Sequence, residues 1–73
     1  MTQIICQMML RRVGQDEHQH VETQHRTRMP LYGDLVEITV DGGQVLGRVT
    51  RVTPPPPGGN TSTYFVQVDE IRN

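Results

Sequence analysis

Hydrophobic and polar positions alternate at strand period along most of this chain, most plainly from Gly33 to Thr53. Val36, Ile38 and Val40 fall on one side of that alternation, and Leu35, Glu37 and Thr39 on the other. That is the pattern of a half-buried strand with one apolar face. Asp41-Gly42-Gly43-Gln44 follows, and both glycines can adopt the positive φ that a tight hairpin turn requires. A β-branched run through Val45, Val49, Thr50, Val52 and Thr53 then resumes, so the whole stretch predicts a β-hairpin.

Residues 2–13 are apolar on both sides. Ile4, Cys6, Met8 and Leu10 share one face at strand spacing, while Ile5, Met9 and Val13 share the other with Gln7 and Arg11. A helix competes here, because Ile4, Ile5, Met8 and Met9 also cluster at helical spacing, and Gly14 could follow its last turn. The strand is favoured by what comes next. Gly14 to Gln19 is polar and reads as a loop. Residues 21–29 then alternate Val21, Thr23, His25, Thr27 and Met29 against Glu22, Gln24, Arg26 and Arg28. A Thr-rich alternating segment is a strand, and a strand needs a partner. Residues 2–13 are the nearest one.

Parity selects a register for this first hairpin. Setting Leu10 opposite Thr23 places Met8 against His25, Cys6 against Thr27 and Ile4 against Met29, with Arg11 facing Glu22 and Gln7 facing Arg26. A slip of one residue would set Leu10, Met8 and Cys6 against Gln24, Arg26 and Arg28, so the first register is expected. It leaves Ile5, Met9 and Val13 apolar on a mostly polar face, where a second subunit could cover them.

Met29-Pro30-Leu31-Tyr32-Gly33-Asp34 ends that hairpin, since Pro30 interrupts a ladder and Gly33 permits a turn. Pro54-Pro55-Pro56-Pro57-Gly58-Gly59-Asn60 reads as a stiff polyproline connection followed by flexible glycine. Tyr64, Val66 and Val68 alternate with Phe65, Gln67 and Asp69 as a fifth strand, and Ile71 follows. Gly33-Asp34-Leu35-Val36, Gly47-Arg48-Val49 and Tyr64-Phe65-Val66-Gln67-Val68 together resemble the pattern of SH3-like small β-barrels of the KOW and Tudor type, over residues 33–71. That resemblance implies five strongly bent strands and a role in binding rather than catalysis. The chain departs from it in lacking the aromatic cage of Tudor domains and the lysine-rich loops of many ribosomal KOW domains. No functional residue carries over.

At 73 residues the chain makes one domain, residues 1–73. So short a chain buries only about 60% of its unfolded surface. Small folds of this kind usually add disulfides, a metal or a partner subunit. Cys6 is the only cysteine, which excludes an internal disulfide and turns the expectation toward self-association. The net charge is −1, with eight acidic residues against seven Arg and no Lys. That balance gives no general attraction to nucleic acid or anionic membranes. The opening Met1-Thr2-Gln3-Ile4-Ile5-Cys6 lacks a basic region, and its apolar run is cut by Gln7 and Arg11. Neither a signal peptide nor a membrane span is therefore expected. The cytoplasm is the expected location, where Cys6 would stay reduced.

Candidate chemistry is sparse. His18, His20 and His25 form the one metal-like cluster: His18 and His20, two apart, could present two imidazoles to Zn or Ni, with Asp16 or Glu17 adding a ligand. A solvated hairpin tip that carries histidines is the plainer reading, and His25 suits a half-buried strand position. Cys6 and His25 would share a face as nucleophile and base, but an apolar setting would raise the thiol pKa and leave it inert. Among Arg11, Arg12, Arg26, Arg28, Arg48 and Arg51, convergence of Arg26, Arg28 and Arg48 would make a basic stripe able to grip a phosphate backbone. Arg51-Val52-Thr53-Pro54-Pro55-Pro56-Pro57 fits the R-x-x-P-x-x-P form that SH3 domains bind, although Arg51 belongs to a strand. Asn60-Thr61-Ser62 matches a glycosylation sequon.

The sequence thus predicts an all-β fold of five antiparallel strands, either an SH3-like small barrel or a strongly bent meander. No enzymatic activity and no cofactor are expected. The leading expectation is a binding or structural module that self-associates through the first hairpin. Ile5, Met9 and Val13 would lie at the contact, with the edge of the first strand extending the sheet across subunits. Nucleic-acid binding through Arg26, Arg28 and Arg48, and metal binding at His18 and His20, are the alternatives.

Overall fold

The computed structural model of the chain describes residues 3–58 and 62–71. It contains β1 (Ile4–Arg11), β2 (Gln19–Arg26), β3 (Leu35–Val40), β4 (Gly43–Thr53) and β5 (Thr63–Glu70). They form one curled sheet in the order β2-β1-β5-β4-β3. The all-β expectation holds, and residues 4–11 are a strand rather than a helix. The expectation of purely antiparallel pairing does not hold, because β1 and β5 run parallel. Geometry requires this: an up-and-down chain of five strands ends pointing the way it began, so rolling the sheet until first meets last makes that pair parallel.

β1 is consequently an interior strand, flanked by β2 and β5, and offers no free edge to another subunit. Cys6, Met8 and Leu10 point into a core completed by Val36, Ile38, Val49, Val66 and Val68, all buried. Ile4, Val21, Val40, Val45 and Val52 pack around that cluster. Among the described residues no helix is long and apolar enough to cross a membrane.

The β1–β2 register differs from the expected one. Cys6 pairs with Gln24 and Met8 with Glu22, and a bulge follows, so that Met9 pairs with His20. The parity that sequence reasoning rejected is therefore the one adopted, and Glu22, Gln24 and Arg26 share the inward side with the core residues. Two things make this possible. The bulge leaves Val21 as the extra residue, and Val21 packs against the core. The polar trio bond to one another, Gln24 Nε2 donating to Glu22 Oε2 at 3.0 Å and Arg26 Nε to Gln24 Oε1 at 2.8 Å. Polar residues on a nominally inner face are tolerated when they supply each other's partners.

These same side chains close the curl. β2 and β3 are the two ends of the strand order and share no ladder. Gln24 Nε2 donates to the Glu37 carbonyl at 3.1 Å, and the Thr39 backbone N–H donates to Glu22 Oε2 at 3.0 Å.

The β3–β4 hairpin is present as expected, with its turn one residue earlier. Asp41 (φ 51°) and Gly42 (φ 81°) are the two central residues, a type I′ turn whose twist suits a two-residue hairpin loop. Gly43 already belongs to β4. Gly33 (φ 88°) sits in a second turn, closed by the Asp34 N–H donating to the Leu31 carbonyl at 3.0 Å. Gly47 lets β4 approach β5 closely, because a Cβ there would lie 2.2 Å from Val68 Cγ1. A further bulge at Thr50 shifts the β4–β5 register, and bulges of this kind deepen a sheet's twist. Gly59, Asn60 and Thr61, and with them most of the sequon, lie outside the described residues.

Candidate functional site

Three strand pairings place the residues of the outer sheet face in rows. His25, Ile5 and Thr63 form one row; Thr23, Gln7, Phe65 and Thr53 the next; His20, Met9, Gln67 and Arg51 a third; and Arg11, Asp69 and Arg48 a fourth. Phe65 is thus central, beside Gln7, with Ile5 and Met9 on the diagonals of the neighbouring strand. It is 48% exposed, whereas Ile5 and Met9 are half-buried. Val13 stands apart in the turn after β1, exposed, its N–H donating to Glu70 Oε1 at 2.9 Å. Of the three residues expected at a contact, the fold brings Ile5 and Met9 together and sets Val13 at the sheet's end.

The surroundings of this apolar centre are mostly uncharged hydrogen-bonding groups. Gln7 Oε1 accepts from Thr23 Oγ1 at 2.7 Å and lies 2.6 Å from His20 Nε2. Apart from Arg51 in the third row, charge is concentrated in the fourth. Asp69 Oδ2 accepts from Arg11 Nη2 at 2.6 Å, and its Oδ1 accepts from His18 Nε2 at 2.9 Å. Burial pushes the Asp69 carboxyl up, but hydrogen bonds and charge from Arg11 and His18 together hold it below its ordinary value. Arg12 Nε bonds Glu70 Oε1 at 3.0 Å, and that hydrogen bond and the carboxylate's charge raise the guanidinium further.

His18 and His20 are engaged separately, one by Asp69 across β1 and the other by Gln7. Among the described residues no group of three histidines, cysteines or carboxylates is arranged to hold a metal ion. Cys6 is fully buried, and burial raises its thiol pKa against the opposing charge of Arg26. His25 pairs with Ile5 and not with Cys6, so the thiol and imidazole stand on opposite faces of the sheet instead of sharing one. Arg26 and Arg28 line one cleft at the end of β2. Arg48 projects from β4 on the outer face, opposite Asp69. Arg51 lies within β4, as expected, and so is not part of a free polyproline ligand.

Phe65 and Asp69 are the residues that sequence reasoning missed. The alternation along β5 puts both on the outer side, which was readable. Their neighbours were not, because those depend on the first strand pairing with the last.

Comparison of the chain with known protein families, with curated proteins and with solved structures finds no match. The curled five-stranded sheet is compatible with a small-barrel fold, and no family match supports KOW or Tudor membership.

Proposed function

We propose that this chain is a non-enzymatic binding module that self-associates through the outer face of β1 and β5, with Ile5, Met9 and Phe65 at the centre of the contact. The observation that carries this reading is the half-exposed Phe65, bracketed by the outward apolar side chains of β1. The ring of Gln7, Thr23, Thr53, Thr63 and Gln67 favours a second copy as the occupant. In a two-fold contact each group meets its own surface, and uncharged donor-acceptor side chains can pair with copies of themselves, whereas a strongly charged ring would repel. The SH3-like resemblance also speaks for binding over catalysis, although the parallel β1–β5 pair sets this sheet apart from the antiparallel strands it implies.

Sedimentation equilibrium tests the reading. A dimer or larger species is expected at concentrations of about 100 μM, equivalent to a dissociation free energy of roughly 5–6 kcal/mol, and Phe65→Ser should give a folded monomer. A wild-type monomer at that concentration would falsify the proposal.

A second reading rests on Arg51, diagonal to Phe65 across β4 and β5, and on Arg48 farther along the same face, neither of which makes an ion pair among the described residues. An aromatic platform with nearby guanidinium groups suits single-stranded nucleic acid. It replaces the Arg26, Arg28 and Arg48 set with residues that share one face. Salt-sensitive binding of an oligonucleotide, lost in Arg51→Gln, would favour it over self-association.

A further inference from the structure

Past the end of β2 the chain bends through Thr27 and Arg28 toward the buried Pro30. Beside the bend lies an open cleft of about 460 Å3, lined by residues 25–30 and Asp34. Among the described residues Asp34 is the only carboxylate on its lining, and Asp34 Oδ2 is already turned into its own turn, accepting the Leu31 N–H at 2.9 Å. The two guanidinium groups therefore outweigh the acid, in a chain whose overall charge is −1. This concentration of positive charge does not follow from general basicity.

The donors on the lining are also uncommitted. Arg26 spends its Nε on Gln24 Oε1, which fixes the guanidinium plane and leaves its terminal nitrogens available. Arg28, Thr27 and His25 make no side-chain hydrogen bond or ion pair among the described residues. Two guanidinium groups offer planar forks suited to doubly bonded recognition of an oxyanion. The adjacent Thr27 hydroxyl adds a further polar contact.

We propose that this cleft binds the phosphate group of a phosphomonoester, with Arg26 and Arg28 sharing its terminal oxygens and Thr27 completing the cradle. A dianion matches two guanidinium charges, and terminal phosphate oxygens outnumber those of a carboxylate. Met29 and Pro30 on the lining supply apolar surface for the ester's organic part. The site is independent of the outer face and does not require self-association.

The test is titration of the 15N-labelled chain with inorganic phosphate and then with a nucleoside 5′-monophosphate, at low ionic strength. Saturable shifts confined to residues 25–30 are expected, with dissociation constants of about millimolar for phosphate and lower for the monophosphate. Arg28→Gln should weaken both by about tenfold or more while leaving the urea midpoint unchanged, because Arg28 is exposed and unpaired within the described fold. Wild-type affinity in Arg28→Gln would overturn the assignment. So would equal shifts from chloride at matched ionic strength, or no shift at about 20 mM phosphate. Tighter binding of an oligonucleotide that lacks a terminal phosphate would identify a nucleic-acid backbone groove, and would also overturn it.

Discussion

The backbone N–H of Thr39 in β3 donates to the carboxylate of Glu22 in β2 at 3.0 Å, where an ordinary sheet would offer a carbonyl from the next strand. Glu22 also accepts from Gln24, which in turn donates to the Glu37 carbonyl. Side chains of one strand thereby stand in for the missing ladder to the other. Open strand edges invite pairing with foreign chains, and this seam occupies donor and acceptor groups that would otherwise do so.

Glu22→Ala should cost about 1–2 kcal/mol, the range for losing a buried or charge-assisted hydrogen bond. Urea unfolding gives the stability change. Amide exchange localises it: Thr39 should lose protection far more than Ile38, whose pairing is to Val45 in β4. Equal loss at both positions would show global unfolding rather than an opened seam.

Gly47→Ala tests the close approach of β4 to β5. Its new Cβ would meet Val68 Cγ1 at 2.2 Å and the Asp69 carbonyl oxygen at 3.1 Å. Val68 is fully buried and stiff at its branched carbon, so neither neighbour yields easily. We expect destabilisation of about 1–3 kcal/mol, the usual cost of overpacking. A thermal midpoint unchanged from wild type would contradict this contact.

Gly42→Ala addresses the hairpin turn. At φ 81° a side chain is strained, and the expected loss is about 1–2 kcal/mol. Gly43→Ala, at a position without positive φ and with only the Val40 carbonyl oxygen near at 3.8 Å, should cost clearly less. The order of the two variants is the readout.

Asp69 predicts the sense of one pH effect. Its folded pKa lies below the ordinary value despite burial, because Arg11 and His18 bond and attract the carboxylate. Such a group contributes stability that is complete above its unfolded pKa of about 3.9 and is lost as pH falls through the lower folded value. The Asp69 side chain is 32% exposed, so solvent screens the pair, and Asp69→Asn should cost no more than about 1 kcal/mol at neutral pH. The gap between variant and wild type should narrow in urea titrations carried below about pH 4. A gap that widens in acid would contradict the assigned direction.

Cys6 should be silent toward thiol reagents in the folded chain. It is fully buried with a raised pKa, and only thiolate reacts. Labelling should therefore follow the unfolding rate, and burst labelling of native protein would place the thiol elsewhere.

Much of this architecture was written in alternation. Val36 and Ile38, like Val66 and Val68, lie on the buried side that their period assigns, and β1 is extended as its spacing suggested. The register of the first hairpin was not legible for a definite reason. Pattern matching puts polar residues outside, but Glu22, Gln24 and Arg26 face inward because β3 supplies backbone partners for two of them. The bulge that returns Val21 to the core breaks strict alternation as well. The surroundings of Phe65 were hidden for a related cause: they belong to β1, and nothing local in either segment announces that these two strands will meet.

That meeting has a kinetic corollary. Because β1 finds its second neighbour only in β5, the ring of contacts joins segments separated by nearly the whole chain, the arrangement that slows folding most. Until β5 emerged from a ribosome, the two hairpins would share no strand ladder, with Cys6, Met8 and Leu10 left uncovered along the side that β5 closes. Shortening the chain within β5 should therefore abolish cooperative folding outright.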